Sequence, residues 1–287
     1  NFSCDVEESL EEDIAPISKS TQAPNPERCV LMYVEVDNDI FVDKGSIANT
    51  TNYITGLFNQ VSLMYFNEVI KLRLHELLIW DTADPYTGSS TSDYLSDFQN
   101  QIGVAFNGDI AHLVGYQGGG GLAQLNVLCH PSRRHAYSDI NSTYNTIPVY
   151  SWSVNVLTHE IGHNLGSRHT HDCAWNGNNT PIDRCGIDAG YGSGNSCEDG
   201  ATLPPAGTVM SYCHLVSGVG VDFNLGFGPQ PGDYIRDKVY NAFCLTPCDP
   251  SDEICDDDFD NDFDGLTDCE EPECEEYVSC LPCLDNI

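Results

Sequence analysis

His159, Glu160, His163 and His169 are the residues whose types and spacing could do chemistry, and they stand in one run, HEIGHNLGSRH, over residues 159–169. Trp152, Val154, Val156, Leu157 and Ile161 have the spacing of a helix set into a core, so His159 and His163, four apart, share one face. Two imidazoles then point at one spot. A catalytic zinc takes three protein ligands, with nitrogen at roughly 2.0–2.1 Å, and keeps one position open for water. His169 supplies the third ligand, because Gly166 can take the left-handed conformation that ends a helix and turns the chain back toward the metal. Glu160, adjacent to the first ligand, is placed to act on that water rather than to bind the metal. Metal-assisted hydrolysis is the chemistry this implies. The bland alternative, two histidines and a glutamate on a solvated helix face, is weakened by five fixed positions: His, Glu, His, Gly and His.

Downstream, Thr208-Val209-Met210-Ser211-Tyr212 carries a methionine. Together the two stretches resemble the metzincin metallopeptidases, closest to the reprolysin or adamalysin-like (M12) branch in a bacterial-type secreted form, where the extended zinc motif is followed by a turn with a methionine beneath the metal. The resemblance implies an α/β (α+β) catalytic domain with a twisted, mostly parallel five-stranded sheet, an active-site helix and the Met-turn. It also implies zinc (Zn2+) on His159, His163 and His169, Glu160 as general base, and Met210 as an apolar floor that does not touch substrate. In the family, the strand at the position of residues 122–128 is the lower edge of the sheet. Leu122 and Ala123 would there offer backbone groups to an extended peptide running antiparallel; a flexible hairpin is the other reading of these residues. The family pattern further ties Cys244 to Cys129, and builds the pocket for the side chain after the cleaved bond from residues 170–207 and 219–227.

Two positions depart from the reprolysin pattern. Thr170 follows the third histidine where reprolysins carry aspartate, and Tyr212 resembles the astacin and serralysin arrangement, in which that phenol approaches zinc at rest and swings to stabilise the tetrahedral intermediate. A packed tyrosine with a satisfied hydroxyl is the alternative for Tyr212.

Composition narrows the partners. Eleven basic residues against 44 acidic ones, net charge −33 over 287 residues, repel nucleic acid and anionic membranes. We read the acidity as solubility in salty or calcium-rich surroundings. No run of 18 apolar residues exists to span a membrane, so a monomer acting on protein or peptide is expected. Fourteen cysteines outside any zinc-finger spacing predict disulfides and a secreted, extracellular protein. The chain starts at Asn1 with no signal-like apolar segment, which fits prior removal of export signals.

Residues 1–27, acidic and punctuated by Pro16, Pro24 and Pro26, read as an extended lead-in or propeptide remnant rather than packed structure. Cys4 within them has two readings. Phe2-Ser3-Cys4-Asp5 loosely resembles the propeptide segment that supplies a fourth zinc ligand in many metzincin zymogens; alternatively Cys4 pairs with a cysteine such as Cys29. Residues 28–247 form the catalytic domain, with strands over 30–36, 72–80 and 110–115 and helices over 47–65 and 94–102, a βαβαβ order. His75 and His112 fall inside strand patterns and read as structural. The run Gly118–Gly121 lacks the lysine a phosphate cradle needs. Two disulfides among Cys173, Cys185, Cys197 and Cys213 are expected to hold the loop-rich stretch after the histidines. Ile235, Val239 and Phe243 mark a closing helix over 234–244.

The final segment, 248–287, packs six cysteines among acids. Its D-x-D-x-D-G-x5-E spacing is that of a calcium (Ca2+) loop, with carboxylates of Asp260, Asp262 and Asp264, the Leu266 carbonyl, a water-bridged Asp268, a bidentate Glu271 and Gly265 at the turn. An acidic solvated tail is the other reading. The rival to an enzyme is a calcium-dependent extracellular binding or adhesion protein with a vestigial zinc site.

Overall fold

A computed structural model describes residues 3–7 and 28–247. The predicted calcium ligands Asp260, Asp262, Asp264, Leu266, Asp268 and Glu271 lie outside the described residues.

The central strand β2 (Cys29–Val36) sets the layers through its period of two. Val30, Met32, Val34 and Val36 enter one core, and Tyr33 enters the other. The first core is closed by α2 (Ile47–Phe66), which turns Ile54, Leu57, Phe58, Val61, Met64 and Tyr65 inward, and by α4 (Trp152–Asn164). The second is closed by α3 (Thr91–Ile102) through Tyr94, Leu95 and Phe98, with Ser90 and Asp93 forming a capping box at its start. This is a three-layer α/β arrangement.

Between these layers the strand order is β1-β5-β6-β4-β2-β3. The strands β2, β3 (Lys71–Ile79), β4 (Ile110–Gly115) and β6 (His135–Asp139) are mutually parallel, and β5 (Gly120–Gln124) runs antiparallel to β6. Those five strands are the expected mostly parallel sheet. The sixth, β1 (Ser3–Glu7), corrects the reading of the lead-in as unpacked: it pairs in parallel with β5, supplying backbone bonds that an apolar pattern does not signal.

Four further elements differ from expectation. The short α1 (Asn38–Lys44), capped by the Asp37 side chain, and β6 carry too little periodicity to stand out in the sequence. The closing helix, α5, spans Pro229–Asn241 instead of 234–244. It starts early because a proline in the first turn forfeits no helical hydrogen bond, and Phe243, expected on its inner face, lies beyond its end and is 87% exposed. Strand β5 likewise stops at Gln124, because Asn126 turns with φ +57°. Disulfides join Cys173 to Cys197, Cys185 to Cys213 and Cys129 to Cys244. Among the described residues no helix is long and apolar enough to cross a membrane.

Candidate metal centre

Every residue of α4 is buried, so its polar side chains need internal partners. The helix is pegged at several points. Trp152 Nε1 donates to the Asp139 carbonyl at 2.8 Å, Tyr65 Oη donates to the Thr158 carbonyl at 2.8 Å, and Asn164 Nδ2 donates to the carbonyls of Gln124 (2.8 Å) and His135 (3.1 Å). The Asn164 bonds fix the distance between the helix and strands β5 and β6. After Asn164 the chain turns at Gly166, φ +102°, whose N–H donates to the His163 carbonyl at 2.8 Å, and the positive φ favours glycine as the sequence suggested. Thr170 N then donates to the Met210 carbonyl at 3.1 Å, which brings His169 back over the helix.

His163 Nε2 lies 3.0 Å from His159 Nε2 and 3.1 Å from His169 Nε2. His159 Nδ1 donates to the Val209 carbonyl at 2.7 Å, and His163 Nδ1 donates to the Ser167 carbonyl at 2.6 Å. A carbonyl only accepts, so both protons sit on Nδ1 and the Nε2 atoms face each other with lone pairs. Burial pushes the His163 pKa down to about 3 and holds His159 and His169 well below the ordinary histidine value, so the three rings are held uncharged. A cation satisfies this geometry. Tetrahedral ligation at roughly 2.0–2.1 Å spaces ligand nitrogens by about 3.3 Å, close to the separations found.

Glu160, next to His159 on α4, is fully buried, and β5 comes against it at Gly121. A Cβ at Gly121 would fall 2.6 Å from Glu160 Cγ and Cδ and closer still to Oε1, so any larger residue there requires Glu160 to move. Met210 underlies the helix: a Cβ at Gly162 would lie 2.8 Å from its Sδ. Tyr212 is 1% exposed, its ring centroid 4.6 Å from that of His169 and 4.8 Å from that of His171. Leu122 and Ala123 stand in β5 opposite Asp5 and Val6 of β1, and Cys4 stands opposite Gly121. By contrast, His112 is buried against Ser138 Oγ at 2.9 Å and His75 meets Asn107 at 2.9 Å, and neither belongs to the cluster of His159, His163 and His169.

Sequence reasoning passed over Gly121 and Asn164. A glycine inside a strand marks a close approach of another group, and that signal was present. Asn164 left no comparable trace, because its acceptors come from strands distant in sequence.

A helix-borne histidine pair, a third histidine returning past a glycine, and a methionine under the helix define a metallopeptidase of the metzincin kind. The chain belongs to metallo-peptidase family M12, whose reprolysin-type model matches residues 25–214. Among solved structures it is similar to a chain in a chaperone–substrate complex, at 20% identity and a TM-score of 0.39, covering 52% of this chain and 25% of that one. It is also similar to metalloproteinase-II from Bacteroides fragilis, at 21% identity and a TM-score of 0.33, covering 56% and 48%. The chain therefore spans about a quarter and about half of these two neighbours, and at those scores neither carries information on function.

Proposed function

We propose that this protein is a secreted, monomeric zinc endopeptidase that hydrolyses peptide bonds in extended protein substrates. The observation that carries the reading is the convergence of three Nε2 atoms with two Nδ1 protons already committed to carbonyls. His159, His163 and His169 would hold the zinc, which would supply polarisation of the peptide carbonyl and a water of pKa lowered toward roughly 7. Glu160 accepts the proton of the attacking water and returns it to the leaving amine. The fully buried position of that carboxylate favours proton transfer over solvation. Leu122 and Ala123 pair with the substrate backbone, Tyr212 donates a hydrogen bond to the developing oxyanion, and Met210 supports the ligand helix. Glu160→Ala is expected to keep zinc yet lose nearly all casein digestion; digestion at the parent rate would remove the mechanism. A binding protein with a vestigial site would show no proteolysis that a chelator abolishes and zinc restores.

We assign residues 28–247 to catalysis, 1–27 to latency and 248–287 to a calcium module built on Asp260, Asp262, Asp264, Leu266, Asp268 and Glu271. Support for latency comes from β1, which covers the β5 groups that a substrate would use and runs parallel to them, opposite to the expected substrate direction. Cys4, in register with Gly121 beside Glu160, would hold the fourth zinc position in the latent form. Cys4→Ala should then hydrolyse peptide several-fold faster than the parent before any chain cleavage. Equal rates would remove Cys4 from the site. For the calcium module, calcium titration followed by calorimetry should show saturable binding that Asp262→Ala weakens.

A further inference from the structure

His171 lies one ring beyond the metal ligands, and the mechanism above gives it no part. Its side chain is 6% exposed, and its Nδ1 has no hydrogen-bond partner among the described residues. Its ring lies nearly parallel to that of His169, at 15° and 4.9 Å between centroids. The same ring meets Gly186, where a Cβ would fall 2.5 Å from His171 Cδ2 and closer still to Cγ and Nδ1. Gly186 has φ −65° and ψ −38°, ordinary helical backbone that any residue adopts. Glycine is therefore required there by the neighbouring ring and not by the turn. The backbone that presses on the ring is itself anchored, since the adjacent Cys185 is bonded to Cys213 just past the Met-turn.

The three metal ligands differ in what orients them. His159 and His163 each donate from Nδ1 to a carbonyl, the usual device that fixes a ligand ring. His169 has no such bond among the described residues: its Nδ1 is 4.0 Å from Asp172 Oδ2, beyond hydrogen-bond reach. His169, His171 and Asp172 could be taken for a second metal site, because their ligand atoms lie within 4.8 Å of one another. The nearly parallel rings argue against it, since their in-plane lone pairs run side by side instead of meeting.

We propose that His171 is a positioning residue: held close against both Gly186 and His169, it fixes the plane of the third metal ligand by stacking, in place of the hydrogen bond that the other two ligands have. The proposal rests on the zinc reading. Zinc affinity is measured by competition with a chromogenic chelator on the parent, His171→Ala, Gly186→Ala and the double variant. Loss of support around a metal ligand typically weakens binding roughly 10–100-fold, and His171→Ala is expected in that range. Gly186→Ala should weaken zinc comparably, because its methyl displaces the ring. The double variant should bind as His171→Ala does, because the methyl then has nothing to strike. The cobalt-loaded His171→Ala protein should also shift its visible absorption band while its far-ultraviolet circular dichroism matches the parent. Zinc affinity of His171→Ala within two-fold of the parent, or a double variant that loses the sum of the two single effects, overturns the proposal. A parent that binds no zinc overturns the metal reading itself.

Discussion

A methyl group placed at Gly121 probes how closely strand β5 confines Glu160. Its carbon would fall 2.6 Å from Glu160 Cγ and Cδ, whereas nonbonded carbons settle at roughly 3.5–4.0 Å, so the glutamate must move by about 1 Å. The fold should tolerate the move, because the obstructing atoms belong to a side chain that can rotate. The chemistry should not. A misplacement of about 1 Å costs on the order of 10²-fold in rate, or about 2.7 kcal/mol of barrier, within the 10²–10⁴-fold typical of a general base. The assay is kcat on a fluorogenic peptide, read with zinc content and the melting temperature of the same sample. Gly121→Ala should lose about 100-fold in kcat with zinc and melting temperature at parent values. A parent-like kcat, or a lost activity that zinc loss fully accounts for, would refute the reasoning.

Gly162→Ala should behave in the opposite way. Its Cβ would lie 2.8 Å from Met210 Sδ and 2.9 Å from Phe227 Cε1 in a closed core, so thermal melting should show a destabilisation of about 1–3 kcal/mol, and an unchanged melting temperature would show that the Met-turn floor is loose. Asp37 supplies a pH test away from the site: burial, aided by a hydrogen bond with Asp84 and the charge of Asp39, pushes its pKa up to about 9. A carboxyl with a raised folded pKa contributes stability that is fully present below the unfolded value of 3.8 and is lost as pH rises toward 9. Asp37→Asn keeps the oxygen that caps α1 and removes that titration, so its melting temperature should gain on the parent steadily from pH 4 to pH 9. A difference that stays flat or shrinks over that range would contradict the assignment.

The histidine run was legible because its information is local: i, i+4 spacing and one glycine dictate where three rings can go. Strands β2 and β4 were legible for a similar reason, since Val30, Val34, Ile110 and Val114 repeat the apolar period of a buried sheet. The missing pieces owe their form to partners far along the chain. Strand β6, His-Ala-Tyr-Ser-Asp, looks polar until His135 Nε2 meets the Gly103 carbonyl at 2.7 Å and the Tyr137 hydroxyl donates to the Gln117 carbonyl. Helix α5 begins among Pro229, Pro231 and Gly232, residues that usually read as breakers, because Glu68 reaches across to Arg236 and to Phe227 N and seats the first turn. Contacts such as Gly121 with Glu160 and Gly186 with His171 arise only once β5 and the disulfide-held loop are in place. A sequence records the glycine in each and not the neighbour that demands it.

The most direct test of the central claim is metal stoichiometry by equilibrium dialysis against zinc, followed by elemental analysis, for the parent and His163→Ala. One tightly held zinc per chain in the parent and its loss in the variant is the predicted result. A parent that retains no zinc, or a His163→Ala protein that retains it undiminished, would contradict the account.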